Sequence, residues 1–110
     1  MPARNLLVLR AGDIELDRER CRVMRAGRQV DLPPTEFRLL EFLLENPGKA
    51  FSRQQLIEGV WGLDTLVDER TVDATIRRLR KPLTRGRELD PIRTVRGFGY
   101  AFEEKVSKAD

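Results

Sequence analysis

The chain has 110 residues, 35% of them charged and 40% hydrophobic, the size and balance of one domain, residues 1–110, with a single modest core. It has no histidine, one cysteine and no apolar run near the roughly 18 residues of a membrane span, so a Cys/His metal site, an internal disulfide, a histidine base and a membrane location are excluded and a cytoplasmic protein is expected. Its net charge of +3 conceals a division: residues 70–96 hold nine Lys or Arg against three Asp or Glu, and the remainder holds twelve against fifteen, a concentration that points to a polyanionic partner.

Taken in chain order, the opening MPARNLLVLRAG has neither the apolar length nor the cleavage site of a signal peptide. Short, partly alternating segments around Leu6 to Leu9, Ile14 to Leu16, Cys21 to Arg25 and Gln29 to Leu32 are separated by AGD, DRE and RAGR, which predicts four antiparallel strands joined by tight turns. From Pro34 to Glu45, Phe37, Leu40, Leu43 and Leu44 recur at helical spacing, and Asn46, Pro47 and Gly48 stop the pattern. Pro34 suits the first helical position, but Pro33 offers no side-chain oxygen as a cap, so this helix relies on burial of its Leu and Phe face. A second helix opens at SRQQ, where Ser52 and Gln55 have the spacing of a reciprocal capping box; Leu56, Val60 and Trp61 are expected to face inward.

Residues Arg70 to Lys81 carry the most information. On a helical wheel Val72, Ile76 and Leu79 fall within about 60° of one another and form a buried stripe. Arg70, Ala74, Arg77, Arg78 and Lys81 lie on the far side, with Asp73 on one shoulder and Thr71 and Thr75 on the other. A DNA major groove, about 12 Å wide, admits one helix, and there Arg can grip guanine, Asp can accept from cytosine N4 and Thr can bind phosphate. An arginine-rich surface helix is also a common solvated face, but such a face usually carries acids at i to i+4 spacing. Between Arg77 and Arg87 there is none.

Pro82 is expected to end this helix near Lys81. After the charged loop TRGRELDP, the segment PIRTVRGFGYAFEE alternates and turns at Gly97, Phe98 and Gly99, the pattern of a β-hairpin with positive φ available at glycine. Thr94 and Arg96 lie on its approach, and an arginine at the tip can enter a minor groove. Phe98, Tyr100 and Phe102 are expected to pack inside, and EEKVSKAD reads as a frayed tail.

The stretches PPTEFRLLEFLLENPGKAFSRQQL, VWGLDTLVDERTVDATIRRLRKPL and IRTVRGFGYAF resemble, in order and spacing, the winged-helix output domain of OmpR/PhoB-type response regulators, nearest to the phosphate-regulon activators of that family. The resemblance covers about Gly12 to Phe102. It implies an α+β winged helix-turn-helix: a four-stranded antiparallel sheet, three helices and a C-terminal hairpin wing. It further implies base contacts from Asp73, Arg78 and Arg80, phosphate contacts from Trp61, Arg70, Thr71, Arg77 and Thr94, and entry of Arg96 into a minor groove. At Thr75 a hydroxyl stands where the family often carries histidine, so a phosphate contact there would be made by the shorter side chain. The loop Gly62, Leu63, Asp64, Thr65, Leu66 and Val67 corresponds to the one that meets the sigma subunit of RNA polymerase. The partners implied are double-stranded DNA with direct repeats and a second copy bound head-to-tail. The length leaves no room for the receiver domain that carries the phosphorylated aspartate in that family.

A winged helix that docks an acidic protein is the alternative, and it predicts little affinity for any duplex at moderate salt. An enzyme has poor support: there is no paired-carboxylate arrangement and no phosphate-cradling glycine loop before a helix. Asp17 and Glu19 read as solvated turn residues, and Cys21 as a small buried hydrophobe more than a nucleophile.

Overall fold

The computed structural model describes residues 7–103; Leu6 of the first expected strand and most of the expected C-terminal tail lie outside them. Strands β1 (Val8–Ala11), β2 (Ile14–Asp17), β3 (Arg22–Arg25) and β4 (Arg28–Val30) form an antiparallel sheet in that order. Alternation puts Leu9, Ala11, Ile14, Leu16, Val23 and Val30 on its inner face. Helix α1 (Pro34–Glu45) lies across that face and buries Leu39, Leu40, Leu43 and Leu44. Its amino end has no side-chain cap, as the two prolines require.

A short strand β5 (Ala50–Ser52), not evident in the sequence, follows α1 and forms a second sheet with β6 (Ile92–Val95) and β7 (Gly99–Phe102), in the order β5-β7-β6. Between them come α2 (Arg53–Leu56), which opens with the Ser52–Gln55 capping box and widens into a π-helical turn at Ile57–Trp61, and α3 (Glu69–Leu83). The glycines of the hairpin divide their work. Gly97 takes a φ of +75° in the turn, whereas at Gly99 a Cβ would stand 1.9 Å from the Phe51 carbonyl oxygen, so only glycine lets β7 pair with β5.

Helix α3 extends two residues past the expected end, with Pro82 inside it. Proline removes an N–H and crowds the preceding turn, yet the carbonyls beyond it are satisfied from the first sheet. Arg25 follows Val23 by two residues and therefore points inward, where its Nη1 donates to the Leu83 carbonyl at 2.9 Å and its Nε to Asp13 at 3.1 Å. Arg28 donates to the Pro82 carbonyl at 3.2 Å and to Glu88 at 2.6 Å. Two guanidiniums thus meet the negative end of the α3 dipole. The Thr84 N–H closes the last turn on the Arg80 carbonyl.

Cys21 is exposed in the β2–β3 turn at a φ of +50°, not buried: left-handed backbone carries its side chain away from the sheet. Phe98 likewise stands outside the core, 46% exposed at the hairpin tip, because the turn projects beyond the last paired residues, Val95 and Gly99. Tyr100 and Phe102 are buried as expected.

Replacing the side chain of Arg25, which is 2% exposed, by methionine should lower stability by about 1–3 kcal/mol, the range for leaving a buried acceptor unpaired. Urea denaturation measures this. An unchanged midpoint would show that the carbonyl at the end of α3 does not need its guanidinium.

Candidate nucleic-acid interface

Helix α3 is fixed at its start by Asp68, whose carboxylate accepts from the Thr71 N–H at 3.1 Å. Val72, Ile76, Leu79 and Leu83 are buried to within 1% of complete. The opposite face carries Arg70, Arg77, Arg78 and Lys81, all exposed. Arg70, Arg77 and Lys81 form no ion pair among the described residues, and neither does Arg96 in the hairpin turn. Arg78 is 65% exposed and only at the edge of ion-pair distance, 4.0 Å, from the buried carboxylate of Glu36 on α1. The half-buried Ala74 leaves the middle of this face low.

Three residues expected to touch DNA are held differently. Thr75 is 2% exposed and its hydroxyl donates to the Thr71 carbonyl at 2.8 Å. It lies about 40° from Leu79 on the wheel, at the edge of the buried stripe, and its hydroxyl is spent within the helix. Asp73 and Arg80, seven residues apart and so on one edge of α3, both turn toward the second sheet. The Asp73 Oδ1 accepts from Arg53 Nε at 2.7 Å and from the Tyr100 hydroxyl at 2.6 Å. Arg80 Nη2 donates to the Ile92 carbonyl at 2.8 Å and to Thr94 Oγ1 at 2.9 Å. Its Nε stands 2.9 Å from Asp90 as an ion pair without hydrogen-bond alignment. Arg80 Nη2 is thus engaged by the hairpin strand β6. Thr94, though exposed, already accepts this bond.

Burial pushes the Asp73 carboxyl up, but the hydrogen bonds from Tyr100 and Arg53, with the Arg53 and Arg77 charges, outweigh it and hold the group below its ordinary 3.8. Tyr100 moves upward, through burial first and then through its bond to Asp73. The Asp73 bond also raises Arg53.

Trp61, at the end of the π-helical turn, and Thr71, in the first turn of α3, are half-buried on either side of the intervening loop. Within that loop Gly62 adopts a φ of +103°, Thr65 accepts from the Val67 N–H, and Leu63 and Leu66 are 80% and 102% exposed. Asp64 is exposed, and Val67 packs partly on the core. Sequence reasoning did not find Arg25, Arg28 or Arg53 as supports of α3. Only the period-2 pattern of β3, which places Arg25 in an inward row, carried such a signal.

The family described as "Transcriptional regulatory protein, C terminal" matches residues 27–102. The chain is 62% identical over 96 residues to the phosphate regulon transcriptional regulatory protein PhoB of Rhizobium meliloti (strain 1021), covering 87% of this chain and 42% of that protein. The chain therefore spans less than half the length of the curated relative it matches. It is similar to the response regulator DrrB, described as an OmpR/PhoB homolog of Thermotoga maritima (36% identity, 88% of this chain and 44% of that one, TM-score 0.72). It is also similar to the Klebsiella pneumoniae RstA DNA-binding domain solved in complex with the RstA box (32% identity, 88% and 97% covered, TM-score 0.76).

Because the folded Asp73 titrates below its unfolded value, its contribution to stability is present above about pH 4 and is lost as pH falls through the lower, folded value. Thermal midpoints of the parent and Asp73→Asn, compared across this window, should differ at neutral pH and converge on acidification. A constant difference would mean that the Asp73 charge does not stabilise the fold.

Proposed function

The chain belongs to the C-terminal family of transcriptional regulatory proteins, as an effector domain of the OmpR/PhoB type, and on that footing we propose that it binds double-stranded DNA sequence-specifically to control transcription. The observation that carries this reading is the exposed cationic face of α3, on which Arg70, Arg77 and Lys81 form no ion pair among the described residues, beside the hairpin that bears Arg96. The exposed face enters the major groove. Arg78 reads a base edge there, and Arg70 and Arg77 hold phosphate with help from Thr71 in the first turn of the helix and from Trp61 before it. Arg96 enters the adjoining minor groove, where negative potential favours a guanidinium.

The finer partners follow from the family and from exposure. Two copies bind direct repeats head-to-tail. The loop Gly62 to Val67 meets the sigma subunit of RNA polymerase, and its exposed Leu63 and Leu66 supply the apolar contact that a protein partner would cover. The regulated genes are those of a phosphate regulon, and the setting is the cytoplasm. None of these steps is catalytic, in keeping with a family of transcriptional regulators.

Arg78→Ala should weaken binding by about 1–3 kcal/mol and relax preference at one base position, whereas Arg77→Ala should weaken all duplexes alike and reduce the salt slope by about 1. Fluorescence anisotropy with a selected duplex and its scrambled counterpart, repeated over a salt series, reads both. Equal affinity of the parent domain for the two duplexes would reject the proposal.

A further inference from the structure

We propose that Asp73, with Arg53 and Tyr100, is a latch that fixes the hairpin against α3, so that Asp73 acts on DNA as a positioning residue and not as a reader of a base. The proposal rests on the DNA-binding reading above and assigns that interface a support which neither composition nor periodicity marks.

The geometry is a closed set of contacts on one rung of the second sheet. Tyr100 on β7 pairs with Thr94 on β6 and with Phe51 on β5. Asp73 takes the Tyr100 hydroxyl at 2.6 Å, and Arg80, two helical turns later, donates to Thr94 at 2.9 Å. The two paired residues are therefore each held by α3. The Tyr100 ring also lies near two guanidiniums, 5.5 Å from that of Arg53 and 5.6 Å from that of Arg80. Arg53 sits at the first position of α2, so its 2.7 Å bond to Asp73 joins a third element to the set.

Two residues beyond Thr94 the chain reaches Arg96. The rung thus sets where Arg96 stands relative to the exposed Arg77 and Arg78, and with it the offset between minor-groove and major-groove contacts. Two hydrogen bonds on one oxygen, Oδ1, one from the Arg53 charge and one from the Tyr100 hydroxyl, fix the orientation of the Asp73 carboxylate. A preorganised orientation of this kind is what holds a binding constellation to within a fraction of an ångström.

Tyr100 is the one tyrosine of the chain, so the latch has its own optical signal without DNA. The groups that face its phenol are Asp73, Arg53 and Arg80. Ultraviolet titration of the phenol should give a midpoint above that of free tyrosine in the parent and a lower one in Asp73→Asn. On DNA, Asp73→Asn should weaken binding about tenfold, within the range that coupled neighbours give, and equally across a set of single-base operator variants. Arg96→Ala should cost less in the Asp73→Asn background than in the parent. Tyr100→Phe, which keeps the ring and removes only the donor, should reproduce the uniform loss, and the double variant should lose little more than either single one.

A loss confined to one base position in Asp73→Asn, absent from Tyr100→Phe, would overturn the proposal in favour of base reading. A phenol midpoint unmoved by Asp73→Asn would overturn the latch alone. A parent domain that binds no duplex would overturn the DNA-binding reading and the positioning role with it, whatever the phenol does.

Discussion

A helix can present several unpaired cations on one face only if its other faces are held strongly enough to keep those cations from finding partners of their own. Helix α3 meets that constraint on every side except one. Its apolar stripe, Val72, Ile76, Leu79 and Leu83, is buried, and at roughly 1.5–3 kcal/mol per large side chain this is the main anchor. Asp68 fixes the amino end, Arg25 and Arg28 the carboxyl end, and Asp73 and Arg80 the edge facing the hairpin. What remains outward is the face of Arg70, Arg77, Arg78 and Lys81.

The arginines accordingly divide into two populations that composition cannot separate. Arg25, Arg28, Arg53 and Arg80 spend their donors inside the protein, on carbonyls, carboxylates and a hydroxyl. Guanidinium suits this task because its planar fork satisfies several acceptors at once and stays charged when partly buried. Arg70, Arg77, Arg78 and Arg96 keep theirs exposed. The +6 excess between residues 70 and 96 therefore overstates the reading surface, since Arg80 within that stretch is already committed, and understates the scaffold that supports it.

Legibility from sequence followed the range of the forces involved. The limits of α1, the capping box at Ser52, the buried stripe of α3 and the turn at Gly97 are set by neighbours a few residues away, and each could be read from spacing. The burial of Thr75 was not legible because a polar residue next to an apolar stripe on the wheel is buried when its hydroxyl can bond the carbonyl four residues back. Pro82 failed because the compensation comes from β3 and β4, more than fifty residues earlier in the chain. The contacts of Asp73 and Arg80 were not legible because their partners lie on α2 and the hairpin, and a charged residue on a helix shoulder gives no sign of whether it faces solvent, DNA or a tyrosine. Strand β5 was missed because three residues with one buried side chain have too little pattern to detect.

The central claim is that the exposed face of α3, from its first turn, and the hairpin tip meet the nucleic acid while Asp73, Arg80 and the arginines at the carboxyl end hold the helix in place. Arginine Nε–Hε resonances distinguish these roles in one titration with a selected duplex. The account predicts large shifts for Arg70, Arg77, Arg78 and Arg96, with Arg25, Arg53 and Arg80 staying near their free positions. Large shifts at Arg53 and Arg80, with Arg77 and Arg78 unmoved, would contradict it.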